Sequence, residues 1–210
     1  MKVRTRMGGW KRAALVLAGA LVAPMAVALG GPTAPASAAT IIPCQDRTTA
    51  TPFRPWSDTR NYYLLQGGSF EYGNQGWDLY GQAGIGNGSS PWKVWGGGSR
   101  ALWLGPGGTA VAPTFCASVA EPYVRFFYLA SPEQNARLKV SLTIWRGTTQ
   151  TTQQYWLPGG SGRWEVSQAI PIPDVYADGY RSLSVKFEAV NSSTAQWLID
   201  DFSVDPWKSL

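Results

Sequence analysis

The sequence predicts an all-β protein, built as an antiparallel β-sandwich or jelly roll. Short apolar or alternating segments recur from Leu64 onward, and clusters of Gly, Pro, Asn and Ser separate them. Such clusters mark turns, and no segment after residue 39 keeps a 3.6-residue hydrophobic period. Regularly spaced turns between short strands are typical of sandwiches and jelly rolls.

Residues 1–39 are predicted to be a signal peptide. Five basic residues precede an apolar run at 13–29, and residues 36–38 (Ala-Ser-Ala) offer the small side chains that a signal peptidase reads. The run is shorter than the roughly 20 residues that span a bilayer, and Pro24 interrupts it. We therefore expect a secreted, extracellular protein with no membrane insertion after the signal is removed.

Removal of the signal peptide changes the charge of the protein. The whole chain carries 18 Lys and Arg against 13 Asp and Glu, a net charge of +5. Five of the basic residues and none of the acidic residues lie in residues 1–39, so the remainder carries 13 of each. A neutral surface gives no electrostatic reason to expect nucleic acid or an anionic membrane as a partner.

The chain contains no histidine. Ser-His-Asp and Cys-His catalytic machinery is therefore excluded, as are zinc and copper sites with histidine ligands. A glycosidase would instead need two carboxylates about 5–10 Å apart across a cleft. Nothing in the sequence indicates that any two of its scattered glutamates converge in this way.

Residues 40–62 are predicted to form an ordered N-terminal arm, and residues 63–210 the β-sandwich domain. The arm contains Cys44 and the segment 52–56 (Pro-Phe-Arg-Pro-Trp), whose prolines forbid a helix. The second cysteine of the chain is Cys116. An isolated pair in an exported protein indicates one disulfide, and two free thiols are the alternative.

The second half of the chain gives the clearest strand patterns. Apolar residues occupy every second position in 138–144 and 183–189, which predicts strands with one buried and one solvated face. Residues 124–129 are apolar or aromatic on both sides apart from Arg125, which predicts a central strand. Residues 197–204 predict a closing strand, and turn spacing suggests about nine to eleven strands in all.

The two ends of the predicted domain carry a pair of motifs. Residues 63–71 read Tyr-Leu-Leu-Gln-Gly-Gly-Ser-Phe-Glu and are followed by Gly-Trp at 76–77, and residues 197–206 read Trp-Leu-Ile-Asp-Asp-Phe-Ser-Val-Asp-Pro. This pairing resembles the galactose-binding-like jelly roll of several carbohydrate-binding modules. Those modules open on an Asn-Gly-Gly-Phe-Glu-like strand with a following Gly-Trp and close on an aromatic-x-Ile-Asp-Asp strand. This chain departs from them at Gln66, where they have Asn or Pro.

Further motifs extend over most of the chain after residue 39. They are the Pro-Phe-Arg-Pro-Trp arm, Phe-Cys at 115–116, Arg-Phe-Phe at 125–127 and the Ile-Asp-Asp ending. In this combination the chain resembles a group of small exported proteins of high-GC Gram-positive bacteria, a group of unknown function. That resemblance implies the fold and export, and it implies no activity.

The resemblance to carbohydrate-binding modules also implies a structural calcium ion. In those modules the first and last strands lie side by side, and the Phe-Glu glutamate and the Ile-Asp-Asp aspartate hold Ca²⁺ together with backbone carbonyls. The matching residues here are Glu71 and Asp200, and Ca²⁺ takes about six to eight oxygen ligands. Strand alternation places the next residue, Asp201, on the opposite face. The alternative is that these acids cap turns or pair with arginines.

Aromatic residues supply the candidate ligand contacts. The chain has 11 Trp, and exposed Trp and Tyr stack on the apolar faces of sugar rings. Trp145 and Trp156 alternate with polar residues in predicted strands, whereas Trp92 and Trp95 lie between glycine-rich turns. The alternative for each is core packing, because Trp is highly buried on average. Four other tryptophans occupy predicted core positions: Trp77, Trp103, Trp164 and Trp197.

Three functions are consistent with these observations. The leading hypothesis is a secreted, non-catalytic module that binds a polysaccharide or a cell-surface glycan through exposed aromatics. The second is an extracellular structural or protein-interaction domain with no sugar ligand, which an apolar patch rimmed by polar residues would favour. The third is a polysaccharide-cleaving enzyme that uses carboxylates, or Tyr, Lys and Arg, in place of histidine.

Overall fold

The computed structural model describes residues 47–117, 122–173 and 181–205, apart from the side chain of Arg181. All of them belong to the unit Ala38–Leu210. The predicted signal peptide and Cys44 lie outside the described residues. No helix within the described part is long and apolar enough to cross a membrane.

Short strands make up the described chain. One 3₁₀ turn, Arg54–Trp56, precedes thirteen strands in the described residues. The strands are β1 (Tyr63–Leu64), β2 (Asp78–Tyr80), β3 (Ala83–Asn87), β4 (Arg100–Leu104), β5 (Thr109–Val111), β6 (Phe115–Ala117), β7 (Tyr123–Leu129), β8 (Arg137–Arg146), β9 (Thr149–Pro158), β10 (Trp164–Val166), β11 (Ile170–Pro171), β12 (Arg181–Val190) and β13 (Trp197–Asp205).

The strands form two antiparallel sheets, as the sequence predicts. One sheet has seven strands in the order β10-β7-β13-β4-β3, with β1 pairing β13 and β11 pairing β7. The other has six strands in the order β2-β5-β12-β8-β9, with β6 pairing β12. Both predicted alternating segments are confirmed, since β8 and β12 each bury every second side chain. The strand count exceeds the predicted range because several of the strands are only two or three residues long.

Aromatic side chains fill the space between the sheets. Phe187 of β12 meets Phe126 of β7 edge-to-face, with ring centroids 5.0 Å apart. Phe202 of β13 lies 5.8 Å from Phe187, and Trp77 stacks on the same ring at 6.0 Å. All of these residues are fully buried. Phe126 and Phe202 come from neighbouring central strands, so the predicted central and closing strands are confirmed.

The arm packs on the outer side of the seven-stranded sheet. Phe53 and Tyr62, both fully buried, meet Phe127 of β7, which faces away from the core. Phe53 lies 5.2 Å from Phe127 and 4.8 Å from Tyr62. This aromatic contact covers the part of the sheet surface around Phe127 that a two-layer sandwich would otherwise leave open to solvent.

A buried ion pair fixes the arm in place. The carboxylate of Asp58 lies 2.6 Å from the Arg125 guanidinium and accepts a hydrogen bond from the Tyr62 hydroxyl at 2.8 Å. The Arg125 Nε–H donates to the Ser167 carbonyl at 2.7 Å. Arg125 is therefore buried with its charge paired, which explains how a charged residue occupies a central strand.

Two of the predicted core tryptophans are fully buried and two are not. Trp77 and Trp197 are inaccessible, whereas Trp103 and Trp164 are half-buried. Their strands, β4 and β10, place these two rings on the outer side of the seven-stranded sheet, because their neighbours face the core. Cys116 lies buried in β6, opposite Ser182 of β12. Its predicted disulfide with Cys44 stays a prediction.

Candidate functional site

Glu71 lies in a turn after β1 and not in a strand, contrary to the sequence-based expectation. β1 itself pairs with β13, so the expected neighbourhood of the first and last strands is confirmed. The Glu71 carboxylate accepts the backbone N–H groups of Ser99 and Arg100, both at 3.0 Å. It packs so closely on Gly98 that any side chain at that position would overlap the carboxylate.

Residues 88–99 form a loop, and Glu71 contacts the backbone at its C-terminal end. Asp200 contacts the N-terminal end of this loop. Its Oδ2 accepts the backbone N–H of Ser90 at 2.7 Å and the hydroxyl of Ser89 at 3.1 Å. The base of the loop is closed by a hydrogen bond of 2.8 Å from the Gly88 N–H to the Ser99 carbonyl. Two carboxylates that are 129 residues apart in the sequence therefore fix the two ends of one loop.

Asp201 lies on the same side of β13 as Asp200, and the prediction that it faces the opposite side is wrong. Its Oδ2 accepts a hydrogen bond from the Ser90 hydroxyl at 3.2 Å. The pairing of β13 with β7 shifts register between Asp200 and Ser203, and Asp201 has a left-handed φ of 52°. This bulge interrupts the alternation on which the prediction depended.

The carboxylates of Glu71, Asp200 and Asp201 line one pocket of about 240 Å³, together with Lys93 and Trp95. Burial raises the pKa of Asp200 to about 6, and the charge of Glu71 adds to this effect. Burial, the charge of Asp200 and then that of Glu71 raise the pKa of Asp201 to about 7. The folded protein therefore holds Asp200 and Glu71 close enough to Asp201 to oppose its ionisation.

The pocket brings together the two residues predicted to bind calcium, Glu71 and Asp200. In the described part of the chain, no set of three His, Cys, Asp or Glu residues is arranged to hold a metal ion by itself. A cation would therefore also need ligands such as the hydroxyls of Ser69 and Ser89, which line the pocket. The donors are all hard oxygens and the carboxylates repel each other, so the residues present fit a hard divalent cation.

Trp92 and Trp95, two of the predicted ligand contacts, both lie in the 88–99 loop and pack against the protein. Trp92 meets Trp56 edge-to-face at 4.9 Å and Phe127 at 4.8 Å, and it is 37% exposed. The Trp95 indole N–H donates to the Ser203 hydroxyl at 3.1 Å. The loop therefore covers part of the arm, and the contacts that both rings make in the structure are with the protein itself.

Trp145 and Trp156 lie on a different surface, the outer side of the six-stranded sheet, which we call the polar face. Trp156 of β9 is paired with Lys139 of β8, which is paired in turn with Glu188 of β12. The same row continues through β5 to Tyr80 on β2. The exposed rings of Trp156 and Tyr80, 51% and 57% accessible, thus end one row of side chains across five strands. Four strand spacings correspond to roughly 19 Å.

Charged side chains occupy the middle of that row. The Glu188 carboxylate lies 2.7 Å from the Lys139 ammonium and 3.1 Å from that of Lys186. Burial alone would raise the pKa of Glu188, but the two ammonium groups outweigh it and lower the pKa. The Lys139 ammonium also lies 5.9 Å from the centroid of the Trp156 ring. Trp145 stands further along β8, paired with Gln150 and Ser182, and is half-buried.

Ser141 lies at the floor of the polar face, paired with Lys186 on one side and Gln154 on the other. Its neighbours in β8, Val140 and Leu142, face the core. The Ser141 side chain is 2% exposed, and its hydroxyl has no hydrogen-bond partner among the described residues. Buried hydroxyls are nearly always satisfied by protein or water, so this group retains the capacity for one further hydrogen bond.

Sequence reasoning assigned no binding role to four residues of the polar face: Tyr80, Ser141, Lys186 and Glu188. Alternation in the sequence places Lys186 and Glu188 on a wet face, but it gives no register between strands. The pairing of β12 with β8 and of β5 with β2 brings them beside Trp156. Tyr80 belongs to a three-residue strand too short for a periodic pattern.

Comparison with known proteins gives structural relatives only. No protein-family model and no curated protein sequence matches the chain. The chain is similar to an enzymatically active domain of a tailspike protein of bacteriophage CBA120, with a TM-score of 0.51, 14% identity, and coverage of 68% of this chain and 21% of that one. At that identity the likeness shows the fold alone.

Carbohydrate-binding modules are among the other similar structures. TmCBM61, solved in complex with beta-1,4-galactotriose, has a TM-score of 0.44 and 18% identity and covers 68% of this chain and 97% of its own. The CBM22-1 xylan-binding domain from Paenibacillus barcinonensis has a TM-score of 0.45 and 17% identity, with coverage of 68% and 93%.

Proposed function

We propose that this protein is a non-catalytic carbohydrate-binding module whose ligand lies across the polar face. The observation that carries the proposal is the exposed Trp156 ring beside polar side chains on an ordered sheet. An exposed aromatic on a rigid strand gives a sugar ring a flat apolar surface, and polar neighbours hydrogen-bond to its hydroxyls. Tyr80, at the far end of the row, supplies a second such ring.

The length of the polar face favours a polysaccharide over a single sugar. Trp156 and Tyr80 stand at the two ends of a row of roughly 19 Å, so one monosaccharide does not contact both. In this proposal Trp145 provides a further apolar surface near the β8–β9 turn, beside the exposed Gln150. Trp92 and Trp95, which we also predicted as ligand contacts, act in this proposal through the loop that they hold.

Secretion is part of the proposal. Residues 1–39 would be removed as a signal peptide, the protein would act outside the cell, and a disulfide between Cys44 and Cys116 would tie the arm to β6. A sandwich of the galactose-binding-like jelly-roll type is the fold that the end motifs favour. The absence of histidine from the chain supports a role without catalysis, since most lyase and esterase mechanisms need it.

A calcium ion at Glu71 and Asp200 is a second part of the proposal. Bound there, Ca²⁺ would supply positive charge that relieves the repulsion among the acids of the pocket. Glu71 and Asp200 already fix opposite ends of the 88–99 loop, so the ion would stabilise the loop. It would have no direct contact with a ligand on the polar face, because the two sites lie on different sheets.

The test is retention of the purified protein on insoluble polysaccharides and its migration in gels that contain soluble ones. We expect Trp156→Ala to weaken binding to every retained polymer by about tenfold or more, as loss of one buried stacking contact does. Trp103→Ala is the matched control, because Trp103 is half-buried on the outer side of the other sheet. Failure to bind any of a broad panel of glycans would refute the proposal and favour a protein-interaction domain.

A further inference from the structure

The polar face carries more positive than negative charge at its centre. Lys139 and Lys186 share one carboxylate, that of Glu188. In the described part of the chain, no other acidic group lies within salt-bridge distance of either lysine. One ammonium charge of this trio is therefore uncompensated. The Lys186 side chain is also 41% exposed, so its remaining N–H donors face solvent.

Two other charged residues belong to the same face and do not cancel this excess. Arg137 stands at the end of β8, where its guanidinium donates to the carbonyls of Gln134 and Ala136, both at 2.7 Å. Asp78 lies on β2, with Val111 between it and Lys186. With these two included, three positive charges face two negative ones.

The unpartnered Ser141 hydroxyl lies next to the uncompensated charge. Ser141 and Lys186 are directly paired, and Lys139 stands two residues earlier on the same side of β8. Directly paired side chains have Cβ atoms about 4.5–5.5 Å apart. A buried O–H without a partner beside two ammonium groups forms a set of donors with too few acceptors. An anionic oxygen group is a ligand that would supply the missing acceptor.

We propose that the glycan bound on the polar face is an acidic polysaccharide, with a uronate carboxylate seated on Lys186 and Ser141. This inference rests on the proposed function, because the stacking rings at Trp156 and Tyr80 hold the sugar chain that carries the carboxylate. Lys186 lies two strands from Trp156, roughly 10 Å away, so the stacked sugar and the charged sugar are different units of one chain. Charge-assisted hydrogen bonds to the carboxylate then select acidic over neutral polymers.

The experiment compares one polyuronate with the same polymer after its carboxyl groups have been reduced to neutral sugars. Binding is measured by calorimetry at about 20 mM and about 300 mM NaCl, where screening of exposed charges differs strongly. We expect the acidic form to bind about tenfold more tightly at low salt, the worth of one or two charge-assisted hydrogen bonds. High salt should reduce that preference.

Variants distinguish a specific effect of Lys186 from an effect of the overall charge of the protein. Lys186→Gln should abolish the preference for the acidic form. Ser141→Ala should reduce the preference in the same direction. Arg163→Gln, which removes an exposed positive charge near the other sheet, should have no effect.

The possible failures are distinguishable. Equal binding of the two polymer forms, or a preference that survives in Lys186→Gln, overturns the acidic-polysaccharide inference and leaves the carbohydrate-binding proposal standing. Equal binding of poly-L-glutamate also overturns it, because charge alone would then explain the affinity. Absence of binding to every glycan, neutral or acidic, overturns both.

Discussion

Asp200 and Asp201 are adjacent residues of a strand, and yet both of their carboxylates accept hydrogen bonds from Ser90. The bulge after Asp200 makes this possible, and it buries the two acids together. Because burial and then the charge of Asp200 raise the pKa of Asp201, the folded protein retains protons that the unfolded chain releases.

The first prediction concerns pH. The pKa values of about 6 for Asp200 and about 7 for Asp201 lie above the ordinary value of 3.8. The folded state therefore binds more protons between these limits, and without metal its stability should fall as pH rises from about 4 to about 7. Urea unfolding in EDTA measures this. Asp201→Asn should remove much of this pH-dependent loss of stability. At about pH 8 it should stabilise the protein by something on the order of 2 kcal/mol. A stability profile identical to that of the wild type would contradict the prediction.

The second prediction concerns calcium. Added Ca²⁺ should raise the melting temperature at about pH 8, and less at about pH 5, where the pocket acids bind protons that the metal must displace. Glu71→Gln should lose most of the increase. Glu165→Gln is the control, since Glu165 accepts a hydrogen bond from the Tyr128 hydroxyl and is not among the residues that line the pocket. An equal calcium effect in both variants would exclude Glu71 as a ligand.

The third prediction concerns the close contact between Gly98 and Glu71. Gly98→Ala would force the Glu71 carboxylate away from the two backbone N–H groups that donate hydrogen bonds to it. We therefore expect the free energy of unfolding to fall by about 1–3 kcal/mol. Gly84→Ala is the matched control, because a Cβ at Gly84 meets no atom within 4 Å. Similar stability of the two variants in urea would show that the contact is not tight.

The fourth prediction concerns the buried pair of Asp58 and Arg125. Asp58→Asn leaves the guanidinium buried without its counter-charge, and we expect a cost of about 3–5 kcal/mol. Arg60→Gln removes a 43% exposed partner that lies 3.5 Å from Asp58 and 3.7 Å from Asp205, so its cost should be smaller, about 1 kcal/mol. Chemical denaturation followed by tryptophan fluorescence measures both, and equal losses would mean that burial does not distinguish the pairs.

The strands and the two-sheet architecture were predictable because β8 and β12 alternate over long runs, and alternation has one structural meaning. The meeting of Glu71 and Asp200 was predictable only through the resemblance of the two end motifs. The position of Asp201 was not predictable, since an Asp side chain permits the left-handed backbone conformation but does not require it.

The polar face was predictable in part. The outward positions of Trp145 and Trp156 were predictable, because both alternate with core residues and share a face with polar residues in their own strands. The trio of Lys139, Lys186 and Glu188 depends on the register between β8 and β12, which no local pattern encodes. The packing of Trp92 on Trp56 likewise joins segments that the sequence leaves independent.

The placement of β13 between β7 and β4 has a consequence for how the chain folds. The last described strand supplies the middle of the seven-stranded sheet and also pairs with β1. A nascent chain that stops before Trp197 has nothing to join those strands, so we expect it to stay unfolded. Such long-range pairing gives slow folding that begins only after synthesis is nearly complete.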